Sequence, residues 1–139
     1  MKILYTTIAT ATGGRKGTTK SSDGKLDLAL SMPKGMGGDD GPGTNPEQLF
    51  ACAYAACFNN ALNLVSRFKR MNIESSSVTA NVDIGSNPDR TYGLAVQLHV
   101  NIPGIEQATA ESLTADAHKV CPFSNATKGN VQVDFIVTV

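Results

Sequence analysis

Tryptophan is absent, and all aromatic residues together make up 6% of the chain. Stacking platforms for single-stranded nucleic acid are therefore not expected. An excess of charge is also missing, because 12 Lys and Arg balance 12 Asp and Glu. That removes the electrostatic case for binding nucleic acid or an anionic membrane. The 3 cysteines are an odd count and form no Cys-x-x-Cys pair. A structural disulfide framework is not expected, and thiols in a reducing compartment become candidates for chemistry. Gly-x-Gly-x-x-Gly, P-loop and Gly-x-Ser-x-Gly patterns are missing too, which gives no support to nucleotide binding or serine hydrolysis.

A cleavable leader is not visible. Met1-Lys2-Ile3-Leu4 runs into Thr-rich alternation and then Gly13-Gly14-Arg15. The longest apolar run, Leu49 to Phe58, is too short to span a bilayer and is followed by Asn59, Asn60 and Asn63. A cytoplasmic protein without nucleic-acid or membrane partners is the expectation. The 139 residues suit a single domain, 1–139, large enough to bury its own core.

Hydrophobic periodicity then sets the elements. Residues 2–9 read as a strand. Thr18–Ser22 and Lys25–Ser31 flank Asp23-Gly24, a two-residue hairpin turn. Pro33 to Thr44 carries Gly35, Gly37, Gly38, Gly41 and Gly43 and reads as a flexible loop within the domain. A long helix starts after Asn45. That residue can cap it, Pro46 suits its first position, Glu47 complements the dipole and Gln48 sits at the capping-box position. It should end near Arg70-Met71-Asn72. From Leu49 to Phe58 it is apolar all round, which predicts burial on every side. Ala51, Ala53, Ala55 and Ala56 would allow close approach of another helix.

Val78, Ala80, Val82 and Ile84 alternate with polar residues, and so do Leu94, Val96, Leu98, Val100 and Ile102, with a turn at Gly85 to Arg90 between them. Ala110, Leu113, Ala117 and Val120 mark an amphipathic helix. Pro122 to Lys128 reads as a short third helix stopped by Gly129. Val131, Val133, Phe135, Val137 and Val139 form a last strand. This order argues for an α+β fold with mainly antiparallel sheet.

Residue chemistry alone leaves the function open. Cys57 lies deep in the apolar helix, and a small core hydrophobe is the plain reading. The helix N-terminus is too far away to activate it, so an activated Cys57 needs a cation from elsewhere in the fold. Cys121, before Pro122, has the same plain reading. Cys52 is five residues before Cys57; at roughly 100° per residue the two lie about 140° apart around the helix and should not pair. His118 and Cys121 have a spacing that can suit a metal, but no second ligand pair accompanies them, and His99 stands alone on a strand. Glu47 reads as a helix-start residue, and Arg15 as a possible phosphate contact without a surrounding phosphate-binding pattern.

Three segments change this reading. They are Gly13-Gly14-Arg15-Lys16-Gly17; Gly43-Thr44-Asn45-Pro46-Glu47-Gln48-Leu49-Phe50 running on to Tyr54-Ala55-Ala56-Cys57-Phe58; and Ala117-His118-Lys119-Val120-Cys121-Pro122-Phe123-Ser124-Asn125-Ala126-Thr127-Lys128-Gly129-Asn130. In order and spacing they resemble the organic hydroperoxide resistance proteins of the Ohr/OsmC family, over nearly the whole chain. The third segment is closer to the hydroperoxide branch than to the osmotically induced OsmC branch. Cys52-Ala53 departs from the family's usual Ala-Gly and adds a third thiol.

The resemblance implies an OsmC-like fold with a long buried central helix, in an intertwined homodimer with sites at the subunit interface. It implies that Cys57 is the peroxidatic cysteine and Cys121 the resolving one, with Arg15 and Glu47 holding and activating the thiolate. The implied reaction reduces an alkyl or fatty-acid hydroperoxide to an alcohol, through a Cys57 sulfenic acid and a Cys57–Cys121 disulfide. A lipoylated protein or another dithiol is the implied reductant, and no metal, haem or flavin cofactor is needed. The matched segments also put Phe50, Phe58 and Phe123 near the redox residues, either as an apolar approach for substrate or as plain core packing. Glu47 and Cys57 are ten residues apart on one predicted helix, about 15 Å along its axis, so Glu47 is expected to serve the Cys57 of the partner chain.

Two alternatives remain at this stage. One is an OsmC-branch peroxidase of broader specificity. The other is a non-enzymatic redox-sensing or ligand-binding protein on the same fold. The lack of a helix-turn-helix or basic patch argues against a transcriptional sensor.

Overall fold

Backbone pairing begins later than the N-terminal alternation predicts. The structure, a computed structural model, describes every residue from Met1 to Val139, and its first strand is β1, Ala9–Thr12. Residues 2–8 are not in a strand, and Ile3, Leu4, Tyr5 and Ile8 are exposed. Alternation marks a stretch that can be a strand. The ladder forms only where a neighbour supplies hydrogen bonds, and here it starts at Ala9↔Ser21.

The chain forms two compact units, Met1–Leu49 and Phe50–Val139. In the first, β1, β2 (Thr18–Ser21) and β3 (Asp27–Ala29) make an antiparallel sheet in that order. A tight 3-10 turn, Gly14–Lys16, joins β1 to β2 and carries Arg15. Glycine is required beside it. Gly13 has φ 76°, and a Cβ on Gly17 would stand 1.8 Å from the Thr12 carbonyl oxygen.

The β2–β3 hairpin is present, but its loop exceeds the two residues expected. Ser21 N–H donates to the Leu26 carbonyl at 2.9 Å, and the Asp23 carboxylate accepts from the Ser21 hydroxyl at 2.6 Å and from Lys25 N–H at 3.1 Å. The glycine-rich segment 33–44 is also more ordered than its composition suggests. Ser31 N–H donates to Thr44 O at 2.8 Å, Thr44 N–H to Ala29 O at 3.0 Å, and Gly43 N–H to the Ser31 hydroxyl at 2.9 Å. A Cβ on Gly43 would come within 2.7 Å of Ala29 O, so this glycine serves close backbone approach.

Helix α1, Pro46–Phe68, starts as the sequence predicts. Asn45 Oδ1 accepts from Gln48 N–H at 2.8 Å. The Gln48 side chain does not close a capping box. Its oxygen accepts instead from the Thr44 hydroxyl at 2.8 Å. At the other end Arg70 takes φ 55°, and Met71 N–H returns to the Ser66 carbonyl at 2.9 Å, which stops the helix.

In the second unit α1 packs with a sheet of order β4-β5-β6: Ser77–Ser86, Tyr92–Asn101 and Gln132–Thr138. β4 and β5 are antiparallel. β5 and β6 are parallel, because α2 (Gln107–Val120) and α3 (Pro122–Thr127) carry the chain back across before β6 begins. The fold is thus α+β and mainly antiparallel, with one parallel pair. Tyr54, Phe58 and Leu62 of α1 meet Leu98 and Ile102 of the sheet region and Leu113 of α2 in the core. Val120, grouped with the buried face of α2 by spacing, is 44% exposed at the helix end.

α1 is long and apolar enough, by length and composition, to cross a bilayer. The apolar run alone understates it. In this chain the helix is a core element, with Tyr54, Phe58, Ala61, Leu62 and Val65 buried. Burial on every side does not hold within one chain, because Cys52, Ala53 and Ala56 are exposed.

Candidate active site

Two residue pairs separated in sequence come together, one in each unit. In Met1–Leu49, the 3-10 turn presents Arg15 and the first turn of α1 presents Glu47. The guanidinium donates through both terminal nitrogens, Nη1 to Oε2 at 2.7 Å and Nη2 to Oε1 at 2.6 Å. This bidentate fork is the strong form of the interaction and fixes the plane of the guanidinium. Both side chains are largely shielded, with 27% of Arg15 and 14% of Glu47 exposed. Arg15 holds the Glu47 carboxyl below its ordinary value of 4.5, against the opposing effect of burial.

In Phe50–Val139, Cys57 on α1 faces Cys121, the single residue between α2 and α3. Their sulfurs are 3.8 Å apart, and both are free thiols. Cys121 is fully buried, whereas Cys57 is partly exposed. Burial pushes the Cys57 thiol above its ordinary 9.0, the Phe123 backbone N–H opposes this, and the neighbouring Cys121 pushes it further up. The surroundings within this unit therefore favour the neutral thiol. A reactive thiolate there needs a cation.

Cys52 is exposed, and like the other two cysteines it is a free thiol. Of the three phenylalanines, Phe58 is fully buried and packs on Phe135 with ring centroids 5.4 Å apart, which is core packing. Phe50 and Phe123 are half-buried and lie 5.9 Å apart, each also against the Tyr54 ring. His118 turns its ring edge toward Phe135 at 5.0 Å, and its buried Nδ1 has no partner. His99 shares hydrogen bonds with Gln97 and Asn81. No three His, Cys, Asp or Glu side chains converge as a metal site requires.

Sequence reasoning passed over one feature next to the thiols. The Tyr54 hydroxyl, fully buried, lies 3.0 Å from the Ser124 hydroxyl and 3.5 Å from that of Thr127. The available signal was a tyrosine inside an otherwise apolar helical run, because a buried phenol requires a polar partner.

A family model described as OsmC-like protein matches residues 37–135. The chain belongs to the OsmC-like family. Within it, the chain is 47% identical over 133 residues to the organic hydroperoxide resistance protein of Xanthomonas axonopodis pv. citri, covering 95% of this chain and 93% of that one. It is 45% identical over 132 residues to organic hydroperoxide resistance protein OhrA of Bacillus subtilis, covering 94% and 93%. Among solved structures, an organic hydroperoxide resistance protein from Legionella pneumophila superposes with a TM-score of 0.95 at 48% identity, covering 99% of this chain and 100% of the other. A Vibrio cholerae structure, described as a putative organic hydroperoxide resistance protein with captopril bound in one of its active sites, gives a TM-score of 0.93 at 46% identity, covering 99% and 94%. The α+β OsmC-like fold of the single chain and its likeness to organic hydroperoxide resistance proteins are those that the three matched segments imply.

Proposed function

We propose that the protein protects against peroxide stress by reducing organic hydroperoxides to alcohols with Cys57 and Cys121. The observation that carries this reading is the asymmetric thiol pair, with sulfurs 3.8 Å apart, one reachable and one sequestered. The Cys57 thiolate attacks the terminal side of the O–O bond, which breaks. The alkoxide leaves, takes a proton and departs as the alcohol, and Cys57 becomes a sulfenic acid. Cys121 then displaces water from that sulfur, and the Cys57–Cys121 disulfide forms. An external dithiol of the dihydrolipoyl type, free or on a protein, reduces it by exchange and is itself oxidised to a disulfide.

The role assigned to Arg15 is to favour the Cys57 anion by charge and hydrogen bonding, and the role of Glu47 is to aim Arg15. Glu47 is itself an anion and would oppose a thiolate, so its part is positioning. Glu47 and Cys57 are ten residues apart on the continuous helix α1, about 15 Å along the axis. We therefore assign Glu47 to the site of a second chain in a homodimer. Two antiparallel α1 helices would also cover Cys52, Ala53 and Ala56. The half-buried rings of Phe50 and Phe123 give the approach an apolar wall suited to an alkyl substituent.

The test is turnover on tert-butyl hydroperoxide and on hydrogen peroxide side by side, with dihydrolipoamide as reductant. Many turnovers and a higher kcat/KM for the organic substrate are expected. A single stoichiometric oxidation would point to a sensor, and equal specificity constants would remove the apolar approach.

A further inference from the structure

We propose that Tyr54 is a positioning residue for the thiol pair, its hydroxyl tethering α3 to α1 through Ser124. The inference rests on the reading of Cys57 and Cys121 as a redox pair. Tyr54 precedes Cys57 by three residues on α1, and Ser124 follows Cys121 by three residues on α3. The same two segments are therefore joined twice, about one helical turn apart: thiol to thiol at 3.8 Å and hydroxyl to hydroxyl at 3.0 Å. Both hydroxyl-bearing residues are buried, Tyr54 fully and Ser124 at 1% exposure, so water does not replace the bond if it is lost. The Thr127 hydroxyl is a weaker neighbour of Tyr54 at 3.5 Å and is engaged by the Phe123 and Ser124 carbonyls at 3.0 and 3.1 Å.

The tether has two consequences at Cys57. The backbone N–H of Phe123, the residue before Ser124, works against burial and favours the Cys57 anion. Holding Ser124 in place keeps that N–H near the thiol pair. A disulfide also requires sulfurs at about 2.05 Å and a narrow range of Cβ separations, so the pair must close without loss of alignment. Cys121 is the only residue joining α2 to α3, in an extended conformation with φ −65° and ψ 122°. Movement of α3 displaces it directly. The Tyr54 ring packs on Phe50 and Phe123 at 5.8 and 5.7 Å, so removing the hydroxyl alone leaves that packing in place.

Tyr54→Phe, Ser124→Ala and the double variant test this in the full-length protein. Each is treated with one equivalent of tert-butyl hydroperoxide in the presence of dimedone. Mass spectrometry then reads how Cys57 divides between trapped sulfenic acid and the disulfide with Cys121. The pH midpoint of Cys57 alkylation is measured in parallel. Either single variant is expected to raise the trapped fraction severalfold and move the alkylation midpoint upward, and the double variant to be no worse than the singles. If Tyr54→Phe does not fold, Ser124→Ala gives the same readout. Wild-type partition and midpoint in the folded variants would overturn the tether while leaving the thiol reading intact. A wild-type protein that forms no Cys57–Cys121 disulfide would overturn both.

Discussion

Cys57 and Cys121 are 64 residues apart in the chain, yet their sulfurs are 3.8 Å apart, and only Cys57 has access to solvent. This asymmetry assigns unequal roles. The thiol that meets a hydroperoxide must be reachable, and the thiol that rescues it from overoxidation is best kept from reacting first.

Cys52 is a third thiol on the same helix and is more exposed than either. Exposure alone does not make it part of the site, because it lies about 140° around α1 from Cys57 at roughly 100° per residue. Cys52→Ser is expected to retain wild-type turnover. Loss of activity in a normally folded Cys52→Ser protein would show the thiol assignment to be wrong.

Arg15→Ala should expose the intrinsic character of the Cys57 environment. Burial and Cys121 push that thiol above its ordinary 9.0, and the Phe123 N–H only partly opposes them. With the guanidinium gone, the pH midpoint for iodoacetamide reaction at Cys57 should rise above 9.0. Each unit of rise costs about tenfold in thiolate at neutral pH, so peroxidase activity at pH 7 should fall in step with the measured rise. An unchanged midpoint would remove Arg15 from the role of activating cation.

The chain's own patterns made some of this legible and hid the rest. The Asn45-Pro46-Glu47 start of α1 was readable because capping is local chemistry, and the alternation of β4 and β5 because one face meets a core. Residues 2–8 alternate without a clean polar face and form no strand, since a sequence pattern does not supply a neighbour. The 33–44 segment looked flexible by composition, whereas Gly43 is there for backbone proximity to Ala29. The Arg15–Glu47 fork joins residues 32 apart, and periodicity holds no information about such a pair. The family resemblance named both partners. The Tyr54–Ser124 bond also spans the chain and was named by neither route.

Acid should act through Glu47. Arg15 holds its carboxyl below the ordinary 4.5, so the folded value lies under the unfolded one. The pair's contribution is then fully present above pH 4.5 and is lost as pH falls through the lower folded value. Activity should decline on acidification below pH 4.5 as the fork releases Arg15. Glu47→Gln should lower activity at neutral pH and lack this acid limb. Identical acid limbs in the two proteins would assign the decline to another group.

Glu47→Ala and Cys57→Ser are each expected to be inactive alone. Mixed so that subunits exchange, or co-expressed, they should regain activity, because one site of the heterodimer then receives an intact Glu47 from one chain and an intact Cys57 from the other. A heterodimer that forms normally and stays inactive would place both residues of a site in the same chain.

The most direct measurement follows the thiols through one oxidation. Wild type, Cys57→Ser and Cys121→Ser are each given tert-butyl hydroperoxide, and alcohol formation is measured together with the mass of the cysteine peptides. The account predicts a Cys57–Cys121 disulfide in the wild type, one equivalent of alcohol and a Cys57 sulfenic acid in Cys121→Ser, and neither in Cys57→Ser. Steady turnover by Cys57→Ser, or a wild-type disulfide that uses Cys52 in place of Cys121, would contradict it.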